Sequence, residues 1–224
     1  ETMGTLEKKN YPQKVKALKV LFKVQLSQKT KIYKQVKRVL KLKVLRNKAK
    51  AKMDNQQNVV TELSGRVERT KKALDKYDDL LEKMTGDATG ILPGKPKKFK
   101  NYAALETFQM NQLSEQLKEA LNDAGSDDAE KLKRAAERAS TAVWAANKIV
   151  KATTKKFNQL NKQLQKAQKT YQKLQKAHQL AKQRVVEGGA LVEAMVASYN
   201  ELQSNIFTLT DSIKPDLSKD RVVK

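Results

Sequence analysis

The chain has 224 residues, 47 Lys or Arg against 24 Asp or Glu, a net charge of +23 and no cysteine. The charge points to an anionic partner, and the missing thiols exclude disulfides, thiolate zinc sites and cysteine nucleophiles together. Hydrophobic residues make up 39% and aromatics 5%, with only 8 Gly and 4 Pro, which suits helices packed along narrow seams and disfavours strand-rich folds.

Residues 8–52 hold 17 Lys or Arg and no acid. On a wheel of 100° per residue with Val36 at zero, Val15, Leu18, Phe22, Tyr33, Leu40 and Val44 fall within about 0–80°. Lys16, Lys19, Lys23, Lys34, Lys37, Lys41, Lys48 and Lys52 fall within about 100–160°. The segment therefore reads as an amphipathic helix with a lysine stripe beside an apolar face. The stretch from Val39 to Val44 alternates partly like a strand, which stays open as an alternative. Ser27-Gln28 reads as a possible break. Val20, Val24, Leu42 and Leu45 project at about 180–240°, away from the apolar face, and mark a second surface for a dimer mate, another helix or a membrane.

Residues 55–84 carry a heptad seam of Val60, Leu63, Val67, Leu74, Tyr77, Leu81 and Met84, with Thr70 in its one polar slot and Gly65 as a local weakness. Gly86, Gly90, Pro93, Gly94 and Pro96 then predict a loop over 85–100, ending in the basic run from Lys95 to Lys100. A helix over 101–122 follows on Leu105, Phe108, Met110, Leu113, Leu117 and Leu121, closed by Gly125. Asp127, with Glu130 three residues on, is the expected cap of the next helix.

That helix reads from about 128 to 187, on a seam running from Leu132 to Val185 through Ala135, Ala139, Ala142, Ala146 and Ile149. The steps Ile149–Thr153–Phe157 are 4 and 4, a stutter in the heptad. From Ala139 to Val186 there are 11 Lys or Arg and no acid. Gly188-Gly189 is the next expected break. A last helix on Leu191, Met195, Tyr199, Leu202, Ile206, Leu209 and Ile213 is expected to stop at Pro215. The chain thus divides into basic N-terminal helices at 8–84, a Gly/Pro linker loop at 85–100 and a helical coiled-coil region at 101–213. The fold class expected is all-α: an elongated helical bundle with long coiled-coil helices. The seam from Leu132 to Val185 needs a partner along its length, which predicts a homodimer.

Catalytic constellations are missing. His178, the single histidine, lies on the seam between Leu174 and Ala181. No HExxH, Walker A or dinucleotide fingerprint occurs. Asp78, Asp79 and Glu82, like Asp127, Asp128 and Glu130, are spaced for caps and salt bridges better than for a metal cage. Trp144 and Tyr199 stand at helical core positions. No enzyme activity, metal or cofactor is expected. No 18-residue apolar run spans a bilayer. No signal-peptide pattern opens the sequence, and Glu1-Thr2-Met3 reads as a cut point.

Three stretches carry a family resemblance: the acid-free "KVKALKVLFKVQLSQKTKIYKQVKRVLKLKVLRNKAK", the "STAVWAANKIV" helix with Trp144, and "LVEAMVASYNEL" with Tyr199. Together they resemble the AvrM effectors of flax rust fungi over most of the chain. The resemblance implies an elongated four-helix repeat akin to the Trp/Tyr modules of oomycete effectors, and a coiled-coil dimer. It also implies phosphoinositide binding, secretion by a pathogen, entry into the host cytoplasm and recognition by a plant immune receptor. It assigns no individual lipid-contacting residue. From the residues themselves, Lys16, Lys19, Lys23, Lys34, Lys37, Lys41, Lys48 and Lys52 are the expected site for anionic phospholipid headgroups. A nucleic-acid binder shares the charge but is expected to carry more Arg than the 8 present, or stacking aromatics. A helical-bundle surface receptor of a parasite shares the long helices but is expected to carry disulfides and less charge.

Overall fold

The structure is a computed structural model that describes residues 10–90 and 107–220. Those residues form three helices: α1 (Tyr11–Ala88), α2 (Thr107–Asp123) and α3 (Ala129–Asp220). The all-α expectation is met, with two helices longer than the sequence pattern suggested.

Three of the helix ends have a local chemical cause on view. Asn10 caps α1: its Oδ1 accepts the backbone N–H of Gln13 at 3.2 Å. Helix α2 ends in a turn at Gly125, whose N–H donates to the Asn122 carbonyl. Asp128, not Asp127, caps α3. Its Oδ1 accepts the N–H of Glu130 at 2.9 Å, and its carbonyl accepts the N–H of Leu132. Ser126 Oγ in turn accepts the Asp128 N–H.

The expected interruptions do not occur. Helix α1 runs through Ser27-Gln28, the Val39–Val44 stretch and Gly65, and passes Gly86 to end at Ala88. Helix α3 runs through Gly188-Gly189 and past position 215. A glycine inside a helix costs about 1 kcal/mol, and a long packed seam offsets that. Residues 91–100 of the expected loop, including Lys95 to Lys100, lie outside the described residues, as do residues 101–106 of the expected 101–122 helix.

The chain packs as two compact units. Unit 1 combines the residues up to Asp54 with those from Gln172 onward, and unit 2 spans Asn55–Tyr171. Both α1 and α3 contribute to each unit, so the units do not follow the expected bounds of 8–84 and 101–213.

Unit 2 is a three-helix bundle. Tyr77, Met84 and Ala88 of α1 pack with Met110, Leu113, Leu117 and Ala120 of α2 and Ala139, Ala142, Ala145, Ala146 and Ile149 of α3. The alanines let backbones approach closely, and the larger α2 side chains fill the centre. Full burial of a Leu or Met stabilises by about 1.5–3 kcal/mol, so Met84, Met110 and Leu117 are the main anchors. Gln56 Nε2 also donates to the Ala167 carbonyl at 3.1 Å.

Unit 1 is an antiparallel pair of helices. Tyr11, Ala17, Leu18 and Leu21 pack on Leu209 and Ile213. Further along, Gln35, Val39 and Leu42 face Gly188. An inward series of α1 runs through Tyr11, Lys14, Leu18, Leu21, Gln25, Gln28, Ile32, Gln35, Val39, Leu42, Arg46, Ala49 and Met53, all buried or half-buried, with Val15 and Ala17 half-buried at its flanks. The steps of the series alternate 3 and 4 without a fault, the period of a coiled coil. The seam found at 60–84 is the same series continued.

That series corrects the sequence reading of α1. Phe22, Tyr33, Val36, Leu40 and Val44, expected to face the core with Val15 and Leu18, are exposed. A wheel of 100° per residue drifts by about 20° per heptad from a 3.5-residue seam. Over the four residues or fewer that separate Tyr33 and Leu40 from the zero at Val36 that drift is only about 10°, so the misplacement comes from Val36 itself, which lies outside the seam. Leu42, expected to project outward, is half-buried on the seam. In α3 the seam passes through Gly188 and Val192, and Leu191 is exposed.

Candidate anion-binding face

The inward series fixes what α1 of unit 1 turns outward. With seam residues at heptad positions a and d, positions c and f lie opposite the partner helix. They are occupied by Lys16, Val20, Lys23, Ser27, Thr30, Lys34, Lys37, Lys41, Val44 and Lys48. Between Lys16 and Lys48 this row spans about 48 Å. Lys19 belongs to the neighbouring b/e row and Lys52 to the g flank. All eight lysines of the expected stripe are exposed.

Their electrostatic setting differs from that of unit 2. There, charges pair along the helix: Glu68 with Lys72 at 2.8 Å, Asp75 with Lys71 at 3.9 Å and Glu130 with Arg134 at 3.2 Å. The hydrogen bond and charge of Lys72 hold the Glu68 carboxyl below its ordinary range. Arg138 bonds Asp123 and ties α2 to α3. Among the described residues, no ion pair joins the eight lysines of α1 to a carboxylate. Within their own helix no acid stands nearer than Asp54. The lysine row is therefore a line of positive charge with its counter-charge missing.

Of the four residues expected to form a second surface, Val20, Val24 and Leu45 are exposed and Leu42 is not. The b/e row beside the lysines supplies a set that the sequence reading assigned to the core or passed over. Phe22, Leu26, Tyr33, Val36 and Leu40 are 49%, 68%, 67%, 38% and 56% exposed. Lys19, Lys29 and Lys43 stand between them in the same row. The signal that finds them is a heptad count carried back from Val60 rather than a wheel.

One cleft opens in unit 1, about 330 Å³, lined by Gln28, Lys31, Ile32, Ala194, Met195 and Ser198. Gln28 Oε1 is buried without a hydrogen-bond donor beside it. Among the described residues, no group of three or more His, Cys, Asp or Glu is placed to hold a metal ion. His178 is half-buried on the α3 seam. In unit 2, Trp144 carries the Lys148 ammonium 5.7 Å from its ring centre. No described helix is long and apolar enough to cross a membrane.

No protein-family model, curated protein or solved structure matches this chain.

Proposed function

We propose that this protein is a non-enzymatic helical module that docks on anionic phospholipid headgroups, phosphoinositides included, through the outward face of α1 in unit 1. One observation carries the reading: Lys16, Lys23, Lys34, Lys37, Lys41 and Lys48 form a single exposed row with no carboxylate partner among the described residues. A straight row of ammonium groups suits an extended anionic surface. Each lysine held near such a membrane contributes about 1 kcal/mol, decaying within a Debye length. Lysine supplies point charges, whereas guanidinium forks read bases and clamp single phosphates. That difference favours a lipid surface over sequence-specific nucleic-acid binding.

In the setting the family resemblance implies, this docking belongs to a secreted pathogen effector. It would act as a dimer inside the host cell, where a plant immune receptor recognises it. The proposal about the lysine row stands independently of that setting. Sedimentation with vesicles of phosphatidylcholine, alone or mixed with phosphatidylserine or a phosphoinositide, tests it beside duplex DNA over a salt series. Binding to the anionic vesicles that weakens with salt is expected. Binding to DNA in preference to every vesicle would overturn the lipid assignment.

A further inference from the structure

The lysine row alone accounts for attraction to any polyanion. Beside it, on the b/e row, Phe22, Leu26, Tyr33, Val36 and Leu40 are exposed over about 27 Å of helix. We infer that this apolar row enters the headgroup–acyl boundary of an anionic bilayer, so that α1 lies in the interface and is not held by charge alone. The inference rests on the phospholipid reading above and specifies its contact.

Charge selects the occupant. A second copy docked through the same face would bring two acid-free lysine rows together, with no carboxylate on either face to offset them. A phosphate backbone satisfies the lysines but leaves Leu26, Val36 and Leu40 in water, because aliphatic side chains offer no ring for a base to stack on. An anionic bilayer answers both features at once. Its phosphates take the ammonium groups, and its hydrocarbon edge takes the apolar side chains. Lys19, Lys29 and Lys43 are spaced within the row to lay their methylene stems along Phe22, Leu26, Tyr33 and Leu40 while their charges reach outward. Tyr33, with a ring and a hydroxyl, is suited to the same boundary.

The test uses the single tryptophan. Trp144 lies in unit 2, outside the face, so the double variant Trp144→Phe, Tyr33→Trp carries one reporter on the apolar row. With vesicles containing phosphatidylserine, the emission is expected to shift to the blue and to be quenched by acyl-brominated lipid. Leu26→Ser with Leu40→Ser is expected to weaken vesicle binding about tenfold or more without loss of helicity, since both leucines are exposed. Sedimentation with vesicles but no shift or quench would overturn this inference and leave the phospholipid reading standing. The row would then be free for a protein helix. A blue shift without lipid that grows with protein concentration would show a second copy on the row and also overturn it. No binding to anionic vesicles by the full chain would overturn both.

Discussion

A Cβ added to Gly188 would stand 3.0 Å from Cγ2 of Val39 and 3.5 Å from Cδ1 of Leu42. Gly188 thus fills a seam position in which α1 side chains rest against the α3 backbone. Its neighbour Gly189 has nothing within 4 Å of the same added atom.

This contrast separates two adjacent glycines. Gly189→Ala is expected to stabilise the protein by about 1 kcal/mol, the helix-propensity difference. Gly188→Ala gains the same propensity but crowds Val39, so it should be close to neutral. Gly188→Leu overfills the seam and should cost about 1–3 kcal/mol. Urea unfolding followed by circular dichroism checks the order. Equal effects of alanine at the two positions would show that the seam is looser than described.

Helix α3 should depend on one of two adjacent aspartates. Asp128→Ala removes the acceptor for the Glu130 N–H and should cost about 1 kcal/mol. Asp127→Ala should change stability by less than about 0.5 kcal/mol. Thermal unfolding of the two single variants distinguishes them.

The fold class was legible because the apolar spacing is helical almost everywhere and turn residues are few. The unit 2 core was legible in part: Met110, Leu113, Leu117 and the Ala135–Ile149 seam were all expected inside and are all buried. The α1 face in unit 1 was not legible, because its seam is interrupted by polar residues. Gln25, Gln28, Gln35 and Arg46 occupy inward positions that hydrophobicity does not mark. The more apolar Phe22, Tyr33, Leu40 and Val44 lie outside the seam and drew the wheel toward themselves. The continuity of α3 through Gly188 was hidden for a related reason. A glycine that ends a helix and one that lets two helices touch look alike until the partner is known. The lysines were placed correctly on the outside because their exposure tolerates an error in the wheel that the seam does not.

The most direct test of the lysine row compares two charge reversals of equal size. One variant carries Lys34→Glu, Lys37→Glu, Lys41→Glu and Lys48→Glu; the other carries Lys151→Glu, Lys155→Glu, Lys162→Glu and Lys166→Glu. All eight positions are exposed, and each set lies on one helix, α1 or α3. Binding to phosphatidylserine-containing vesicles is measured at low and physiological salt, with helicity checked by circular dichroism. At about 1 kcal/mol per lysine, the α1 variant should lose about a hundredfold or more in affinity, while the α3 variant retains most of its binding. Equal losses in the two variants, or wild-type binding by a folded α1 variant, would contradict the assignment of the anion-binding face to α1.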